Sequence, residues 1–233
     1  MTENPEFDHL LHYVPSVESA VEAYQRAGLP AHVNDVVTGF QNGGWRLDER
    51  YVEILTVTDR AALQASRYAR AFTLLQPAID ALDGPGGAIT FAVNVTDARA
   101  AADRLRGNGF RVEESEIELT EHGVSFVEIF VLDGPSWLPF LITYTPPRSE
   151  LLAAVPPGAF TRGPHDLTGI VIETPDPDAS ARLLNAVLGV ERLAGFAVTF
   201  ERGEREAITA MTLSGGESRA TTVVDGLALR FAS

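Results

Sequence analysis

The amino-acid sequence predicts an α+β protein built from three tandem units, each with the order β-α-β-β-β. The first observation is a strand followed by an amphipathic helix and a glycine, a combination that occurs three times in 233 residues. The second is the spacing, because Gly28 and Gly109 are separated by the same offset as Val14 and Val95. The third is that strand-like segments follow each helix. Self-similarity at a fixed period indicates repeated structural units.

The first unit is expected over residues 7–58. Its strand, "HLLHYV", ends at a Pro-Ser corner, and Ser16 is the expected N-cap of the helix that follows. Gly28 is the expected left-handed residue that ends this helix. The apolar face of the helix, at positions i, i+3, i+4 and i+7, consists of Val17, Ala20, Val21 and Tyr24. The strands predicted next are "AHVNDVV", "GGWRLD" and "RYVEILTV".

The second and third units are expected over residues 88–145 and 165–233. In the second unit Asp97 takes the cap position of the helix, and in the third unit Asp176 takes it. Gly189 is the predicted end of the third helix. The strands predicted after these helices are "RVEESEIEL", "VSFVEIFVL" and "LPFLITY" in the second unit, and "FAVTFE", "AITAMTL" and "TTVVDGLALRF" in the third.

Two segments lie outside the units. Residues 59–87 contain "RAALQASRYARAFTLLQPAIDAL" and are expected to form one or two helices between the first two units, before the turn "DGPGG". Residues 146–164 are rich in proline and are predicted to be a linker with one helical turn. The sequence therefore predicts a domain boundary before the third unit.

The composition excludes several functions. The net charge is −14 and the acidic residues are scattered, so the clustered basic side chains that bind nucleic acid are missing. No segment approaches the roughly 18 apolar residues of a membrane span, and the N-terminal residues do not resemble a signal peptide, so we expect a cytoplasmic protein. The absence of cysteine excludes disulfides and thiolate nucleophiles. Any metal would need His, Asp or Glu ligands.

Four motifs in order carry a resemblance to a known family. They are the "FDH" that opens the first strand, "GFQNGGWRLD", "YVEIL" at the end of the first unit, and "LPFLITY" at the end of the second. Together with the repeated unit, they resemble the glyoxalase-like domains of the vicinal oxygen chelate superfamily, which also includes bleomycin-resistance proteins and dioxygenases. The resemblance implies that residues 1–145 pair into a curved, half-open mixed β-barrel. In that superfamily the concave face holds the ligand and often a divalent metal.

The resemblance also implies where the site lies. By strand alternation His9, Leu11 and Tyr13 share one face of the first strand, and the more apolar opposite face is expected under the helix. His9 would then point into the concavity. Glu53 occupies the position of the family's metal-binding glutamate. These two residues are the predicted catalytic pair and the predicted ligands of one divalent ion (Zn, Fe, Mn, Ni or Co).

The predicted metal site is incomplete. A glyoxalase-type site takes a second histidine and a second glutamate from the partner unit, but Thr90 and Phe140 occupy the matching positions, and the third unit has Gly169 at the histidine position. A metal held by two protein ligands would bind weakly, or the site would be free of metal. Further candidates for a third ligand, whose spacing does not require that role, are Glu128, Glu173, His122 and His165.

Structural interpretations compete with these roles. His9 could instead be a strand-end residue hydrogen-bonded to Glu53. His12 is expected to pack against the first helix, and His122 to lie in a loop. Glu128 is expected to be an edge-strand carboxylate that faces solvent, with a functional buried carboxylate as the alternative. Asn42 is either a turn residue or a hydrogen-bond donor to the ligand. The residues expected to contact the ligand, as pocket wall or polar anchor, are Leu11, Tyr13, Asn42, Trp45, Leu55 and Phe140.

Two functions follow. The first is a glyoxalase-like protein that binds a small organic molecule in the concave cleft, as a metal-assisted lyase or isomerase acting through His9 and Glu53. The alternative is a non-catalytic small-molecule-binding protein without metal, as in the bleomycin-resistance branch. A ring-cleaving dioxygenase is a weaker interpretation because the second histidine is missing. The odd number of units leaves a sheet edge unpaired and predicts a homodimer.

Overall fold

The computed structural model describes residues 3–156, 158–217 and 219–232. Residues 1, 2, 157, 218 and 233, which fall in the predicted first part, linker and third unit, lie outside the described residues. The first unit and the helices after it comprise β1 (Glu6–Tyr13), α1 (Val17–Arg26), β2 (His32–Val33), β3 (Phe40–Arg46), β4 (Tyr51–Val57), α2 (Arg60–Gln64) and α3 (Ala69–Asp80).

The second unit and the segment after it follow the same plan. They comprise β5 (Gly87–Asn94), α4 (Ala98–Gly107), β6 (Val112–Leu119), β7 (Val124–Val131), β8 (Phe140–Thr145) and the short helix α5 (Arg148–Ala153). The third unit comprises β9 (Asp166–Thr174), α6 (Pro177–Leu188), β10 (Ala197–Arg202), β11 (Ala207–Ser214), β12 (Thr222–Val224) and β13 (Leu227–Phe231).

Local sequence rules explain where the three main helices begin. The side chains of Ser16, Asp97 and Asp176 each accept a hydrogen bond from a backbone N–H in the first turn of the helix, as predicted. Gly189 ends α6 with a φ of 71°, a left-handed conformation that suits glycine. The predicted apolar face of α1 is also the face that is buried.

The first two units join edge to edge. Strands β1 and β5 pair antiparallel, and in each unit the first strand pairs in parallel with the fourth, giving the order β2-β3-β4-β1-β5-β8-β7-β6. This arrangement is the predicted half-open barrel of eight strands. The third unit is paired differently, because β9 lies between β10 and β11, and its parallel neighbour β10 is the strand directly after the helix. Among the described residues, one bridge, Ile208 to Ala88, joins β11 to β5.

The barrel sheet has two apolar cores, one on each face. The larger core lies under α1 and α4 and continues into the third unit, where Phe7 of β1 stacks on Phe196 with ring centroids 3.7 Å apart. The smaller core lies on the concave face and is covered by α2 and α3, which contribute Leu63, Phe72 and Leu75. The helical linker therefore closes over the cleft.

None of the helices in the described part of the chain is long and apolar enough to cross a membrane.

Candidate functional site

A β-bulge at the start of β1 brings two neighbouring side chains together. The register with β5 pairs Phe7 with Val93 and His9 with Ala92, so Asp8 is an extra residue without a partner. Neighbouring side chains normally point to opposite faces of a strand, but a bulge re-aims them. As a result the Asp8 carboxylate reaches the imidazole of His9, with Oδ1 and Nδ1 2.6 Å apart.

Asp8 is held in place on both of its oxygens. The Tyr144 hydroxyl donates to Oδ1 at 3.0 Å, and Nη1 of Arg148 donates to Oδ2 at 3.2 Å. The carboxylate is 1% exposed, so the nearby guanidinium compensates a charge that burial alone would disfavour. Because a carboxylate only accepts hydrogen bonds, its contact fixes the hydrogen of neutral His9 on Nδ1 and leaves Nε2 as an acceptor.

Glu53 lies opposite the second nitrogen of His9. Its Oε2 is 3.8 Å from Nε2 of His9, and its Oε1 accepts a hydrogen bond from Nδ2 of Asn42 at 2.8 Å. The imidazole is itself stacked on the ring of Tyr51, with ring centroids 4.5 Å apart, and meets the ring of Phe140 edge to face, with centroids 5.7 Å apart. His9, Glu53 and Asn42 therefore form one polar corner with fixed side chains.

The polar corner opens into a cavity of about 220 Å³ on the concave face. Strands β1, β3, β4, β6, β7 and β8 supply its walls, and α3 supplies its cover. Seven aromatic rings line it: Phe40, Tyr51, Tyr68, Phe72, Phe126, Phe140 and Tyr144. The remaining lining residues are His9, Leu11, Val37, Asn42, Glu53, Leu55, Ala71, Leu75, Ile117 and Glu128.

The internal repeat shows what replaces the second half of a metal site. Leu11 pairs with Glu53 in the first unit, and Ala92 pairs with Phe140 in the second, so Phe140 occupies the position that matches Glu53. The hydroxyl of Thr90, at the position matching His9, donates to the carbonyl of Leu138 at 2.7 Å. Neither replacement provides a metal ligand.

The donor set does not fit a metal held by the protein alone. Within residues 3–156, 158–217 and 219–232, no group of three or more His, Asp or Glu side chains is placed to hold an ion. His9 and Glu53 provide two donors, whereas protein metal centres of this chemistry use three or four. Of the further candidates only Glu128 lines the cavity; Glu173 pairs with Arg205, His165 contacts the carbonyl of Gly215, and His122 is exposed.

Six predicted site residues line the cavity, namely His9, Leu11, Asn42, Glu53, Leu55 and Phe140. Trp45 does not. It is buried in the core under α1, and its Nε1 donates to the carbonyl of Arg162 at 2.8 Å. The reason is strand alternation, because Trp45 is three residues after Asn42 on β3 and so faces the other way. Tyr13 shares the face of His9 but lies at the end of β1, outside the cavity lining.

The expectation that Glu128 faces solvent is wrong. The side chain is 8% exposed and lines the cavity. Burial raises the pKa of this carboxyl to about 8. The expectation for His12 is confirmed, since its Nδ1 lies 2.9 Å from the hydroxyl of Tyr24 on α1. Asn42 lies within a strand and not in a turn.

Several lining residues were not predicted. Tyr51 and Phe126 could have been found by counting in twos from Glu53 and Glu128, which point the same way along β4 and β7. Burial raises the pKa values of Tyr51 and Tyr144, with the charge of Asp8 adding to the effect, so both hydroxyls stay protonated. Tyr68 and Phe72 come from the linker, whose packing over the cleft has no local sequence signal.

Comparisons with known proteins agree with this architecture. A hypothetical protein from Staphylococcus aureus aligns over 98% of this chain and 99% of its own, with a TM-score of 0.76 and 15% identity. The Mn(II)-bound glyoxalase from Novosphingobium aromaticivorans aligns over 92% of this chain and 66% of its own (TM-score 0.56, 13% identity). Homoprotocatechuate 2,3-dioxygenase from Arthrobacter globiformis aligns over 99% and 80% (TM-score 0.59, 11% identity). At these identities the likeness shows the fold alone.

The sequence comparisons add the family. No curated protein matches the chain at a significant level. The family model described as "Glyoxalase-like domain" matches residues 7–188, which is more than half of the chain. With its structural neighbours, this match confirms the resemblance to the vicinal oxygen chelate superfamily. The chain belongs to the glyoxalase-like domain family.

Proposed function

We propose that the protein binds a small organic molecule in the cavity directly through its side chains. The observation that carries this proposal is the single polar corner of His9, Glu53 and Asn42 in a cavity otherwise lined mainly by apolar and aromatic groups. Ligand sites usually have this character, with a few fixed polar groups that orient the ligand. The volume of about 220 Å³ lies below the roughly 300–1,000 Å³ of drug-sized sites, which favours a small ligand.

The corner is suited to a hydrogen-bond donor on the ligand. Nε2 of His9 and Oε2 of Glu53 both accept, and they are 3.8 Å apart. One amino group could donate to both of them at about 2.8 Å, and a hydroxyl could donate to one of them, because that separation is shorter than two hydrogen bonds end to end. Asn42 keeps Glu53 oriented for this contact.

Ligand binding and metal analysis test the proposal together. Protein purified without chelator is expected to carry less than stoichiometric metal, and small molecules with one donor group are expected to raise its melting temperature. His9→Gln and Glu53→Gln should each lower the affinity for those ligands about tenfold or more, since each removes a hydrogen bond to a charged or fixed group. His122→Gln and Glu118→Gln, at exposed positions, are the matched controls.

One equivalent of metal that is lost in both site variants would contradict direct binding. It would support the metal-assisted lyase or isomerase, with the ligand or water completing the coordination of Zn, Fe, Mn, Ni or Co. Ligands that bind equally well to both site variants would also contradict the proposal, because the polar corner would then have no role.

A second candidate function, proton transfer on the bound molecule, is favoured by the Asp8–His9 pair. A carboxylate that orients an imidazole is the usual support of a general base. Nε2 of His9 would take a proton from a ligand carbon next to a carbonyl group, which leaves an enolate, and would return the proton to that carbon, which is an epimerisation without net change in atoms. Exchange of ligand hydrogens in deuterium oxide, lost in Asp8→Asn and His9→Gln, would support it; no exchange with a bound ligand would leave simple binding.

The predicted homodimer has a structural candidate for its interface. Strand β10 ends the path of the sheet, and in the described residues it pairs only with β9, so its other edge has open backbone groups. Multi-angle light scattering is expected to give the mass of two chains. A monodisperse monomer at micromolar concentration would contradict the dimer.

A further inference from the structure

Glu128 is the internal counterpart of Asn42. On β3 and β4 Asn42 pairs with Leu55, and on β7 and β8 Glu128 pairs with Ile142. Because Phe140 matches Glu53, Ile142 two residues later matches Leu55, and Glu128 therefore matches Asn42. The two side chains occupy equivalent positions in the two halves of the barrel, and both line the same cavity.

The two counterparts differ in their partners. Asn42 donates to Glu53, but the position that would provide the equivalent partner of Glu128 is Phe140. Oε2 of Glu128 consequently has no hydrogen-bond partner among the residues that the structure describes, and the side chain is 8% exposed. Ser115, directly across from Glu128 on β6, is buried too, but it does not line the cavity, and its hydroxyl lowers the pKa of Glu128 against the larger effect of burial. The unpartnered group that lines the cavity is therefore the Glu128 carboxyl, and buried polar groups normally have partners.

The charges around the cavity indicate the kind of ligand. Its lining contains two carboxyl groups, Glu53 and Glu128, and none of the arginines in the described part of the chain. The sequence has no lysine. No cationic side chain in the lining offsets the charge of Glu53 for an anionic ligand, whereas a cation would pair with Glu53, with Glu128 once that carboxyl has lost its proton, and with aromatic rings, which attract cations. The net charge of −14 also favours the approach of cations.

We propose that the ligand of this cavity is a small organic cation, an alkyl or aryl amine, whose ammonium group pairs with the carboxylates of Glu53 and Glu128. This proposal rests on the proposed binding function and gives it a ligand class. The Glu128 carboxyl, whose pKa is about 8 without ligand, loses its proton to solvent when the ammonium binds, and the ligand keeps its own protons. The other titratable groups that face the cavity are His9, Tyr51, Glu53, Tyr68 and Tyr144.

Three probes of nearly equal shape test the charge: benzylamine, benzyl alcohol and benzoate. Calorimetry at pH 7 is expected to show benzylamine binding at least about tenfold more tightly than benzyl alcohol, and no binding of benzoate. Repeating the titration in buffers of different ionisation enthalpy is expected to show proton release with benzylamine, since a carboxyl of pKa about 8 is mostly protonated at pH 7.

Glu128→Gln is expected to weaken the binding of benzylamine by about tenfold or more, to abolish the proton release and to affect the binding of benzyl alcohol much less. Glu118→Gln, the same change at an exposed position of β6, is the matched control. The proton release of the wild type needs no variant and tests the proposal even if Glu128→Gln does not fold.

The outcomes separate the ligand class from the binding function. Equal affinity for amine and alcohol, or amine binding without proton release, would overturn the cationic ligand and leave the binding cavity intact. If none of the three probes, nor any of a wider set of neutral and charged small molecules, raised the melting temperature, both proposals would be overturned.

Discussion

Replacing Glu128 with glutamine should make the protein more stable at neutral pH. The pKa of this carboxyl is raised by burial from 4.5 to about 8 in the folded protein. At pH 7 the unfolded chain therefore gains the free energy of ionising Glu128, and the folded protein does not. The difference between pH 7 and the unfolded-state pKa of 4.5, at 1.36 kcal/mol per pH unit, lowers the free energy of unfolding of the wild type by about 3 kcal/mol.

The sign of the effect fixes its pH dependence. Below pH 4.5 the carboxyl is protonated in both states, and the wild type is not penalised. The penalty grows as the pH rises from 4.5 towards 8 and is constant above that. Glutamine has nearly the same shape and cannot ionise, so Glu128→Gln should show no gain at pH 4 and a gain of about 3 kcal/mol at pH 7.

Urea unfolding of wild type and Glu128→Gln at pH 4, 6, 7 and 8 measures the difference. At pH 7 the gain corresponds to a rise in melting temperature of roughly 6–12 °C for a chain of this size. Glu118→Gln, at an exposed position, should stay within about 0.5 kcal/mol of the wild type at each pH. A variant that is no more stable than the wild type at pH 7, or a gain independent of pH, would refute the reasoning.

Three further substitutions test the fold around the site. Burial lowers the pKa of His12 from 6.5 to about 4, so the wild type loses stability as the pH falls from 6.5 to 4. His12→Gln cannot ionise, so its free energy of unfolding, measured in urea, should fall by about 3 kcal/mol less than that of the wild type over this range. Gly39→Ala should destabilise the protein by about 2 kcal/mol or more, because φ is +85° and a Cβ would overlap the backbone of Leu63 in α2; an unchanged melting temperature would contradict this. Phe196→Ala removes the ring stacked on Phe7 and should cost about 3–5 kcal/mol, with a smaller loss for Phe196→Leu; a loss below 1 kcal/mol would mean that the contact between the units is weak.

The parts of the fold that depend on local rules could be predicted from the sequence. Ser16, Asp97 and Asp176 cap three helices because a short oxygen-bearing side chain reaches the first-turn N–H groups wherever it precedes an apolar helix face. The family resemblance implied that His9 and Glu53 lie close together, and they do so because β1 and β4 pair in parallel. Strand alternation, applied to β3 as it was to β1, would also have excluded Trp45 from the cavity.

The parts that depend on packing between distant segments could not be predicted. The bulge at Asp8 arises from its register with β5 and leaves no mark in "EFDHL". From the sequence, Glu128 looks like an exposed carboxylate on an edge strand. It is buried because α3, about fifty residues earlier in the chain, packs beside β6 and covers the cleft. The same holds for the third unit, whose parallel pairing of β9 with β10 differs from the first two units despite a similar order of elements.

The stability cost of Glu128 and its proposed role in binding have one physical origin, which gives a final prediction. A carboxyl in an apolar cavity is hard to ionise alone, but an ammonium group brought beside it restores the charged form. Amine binding would therefore strengthen by up to tenfold per pH unit between about pH 6 and 8, as deprotonation of Glu128 becomes easier, while benzyl alcohol would show no such slope. Glu128→Gln tests this assignment, since a slope that survives the substitution would contradict the pairing of the ligand with Glu128.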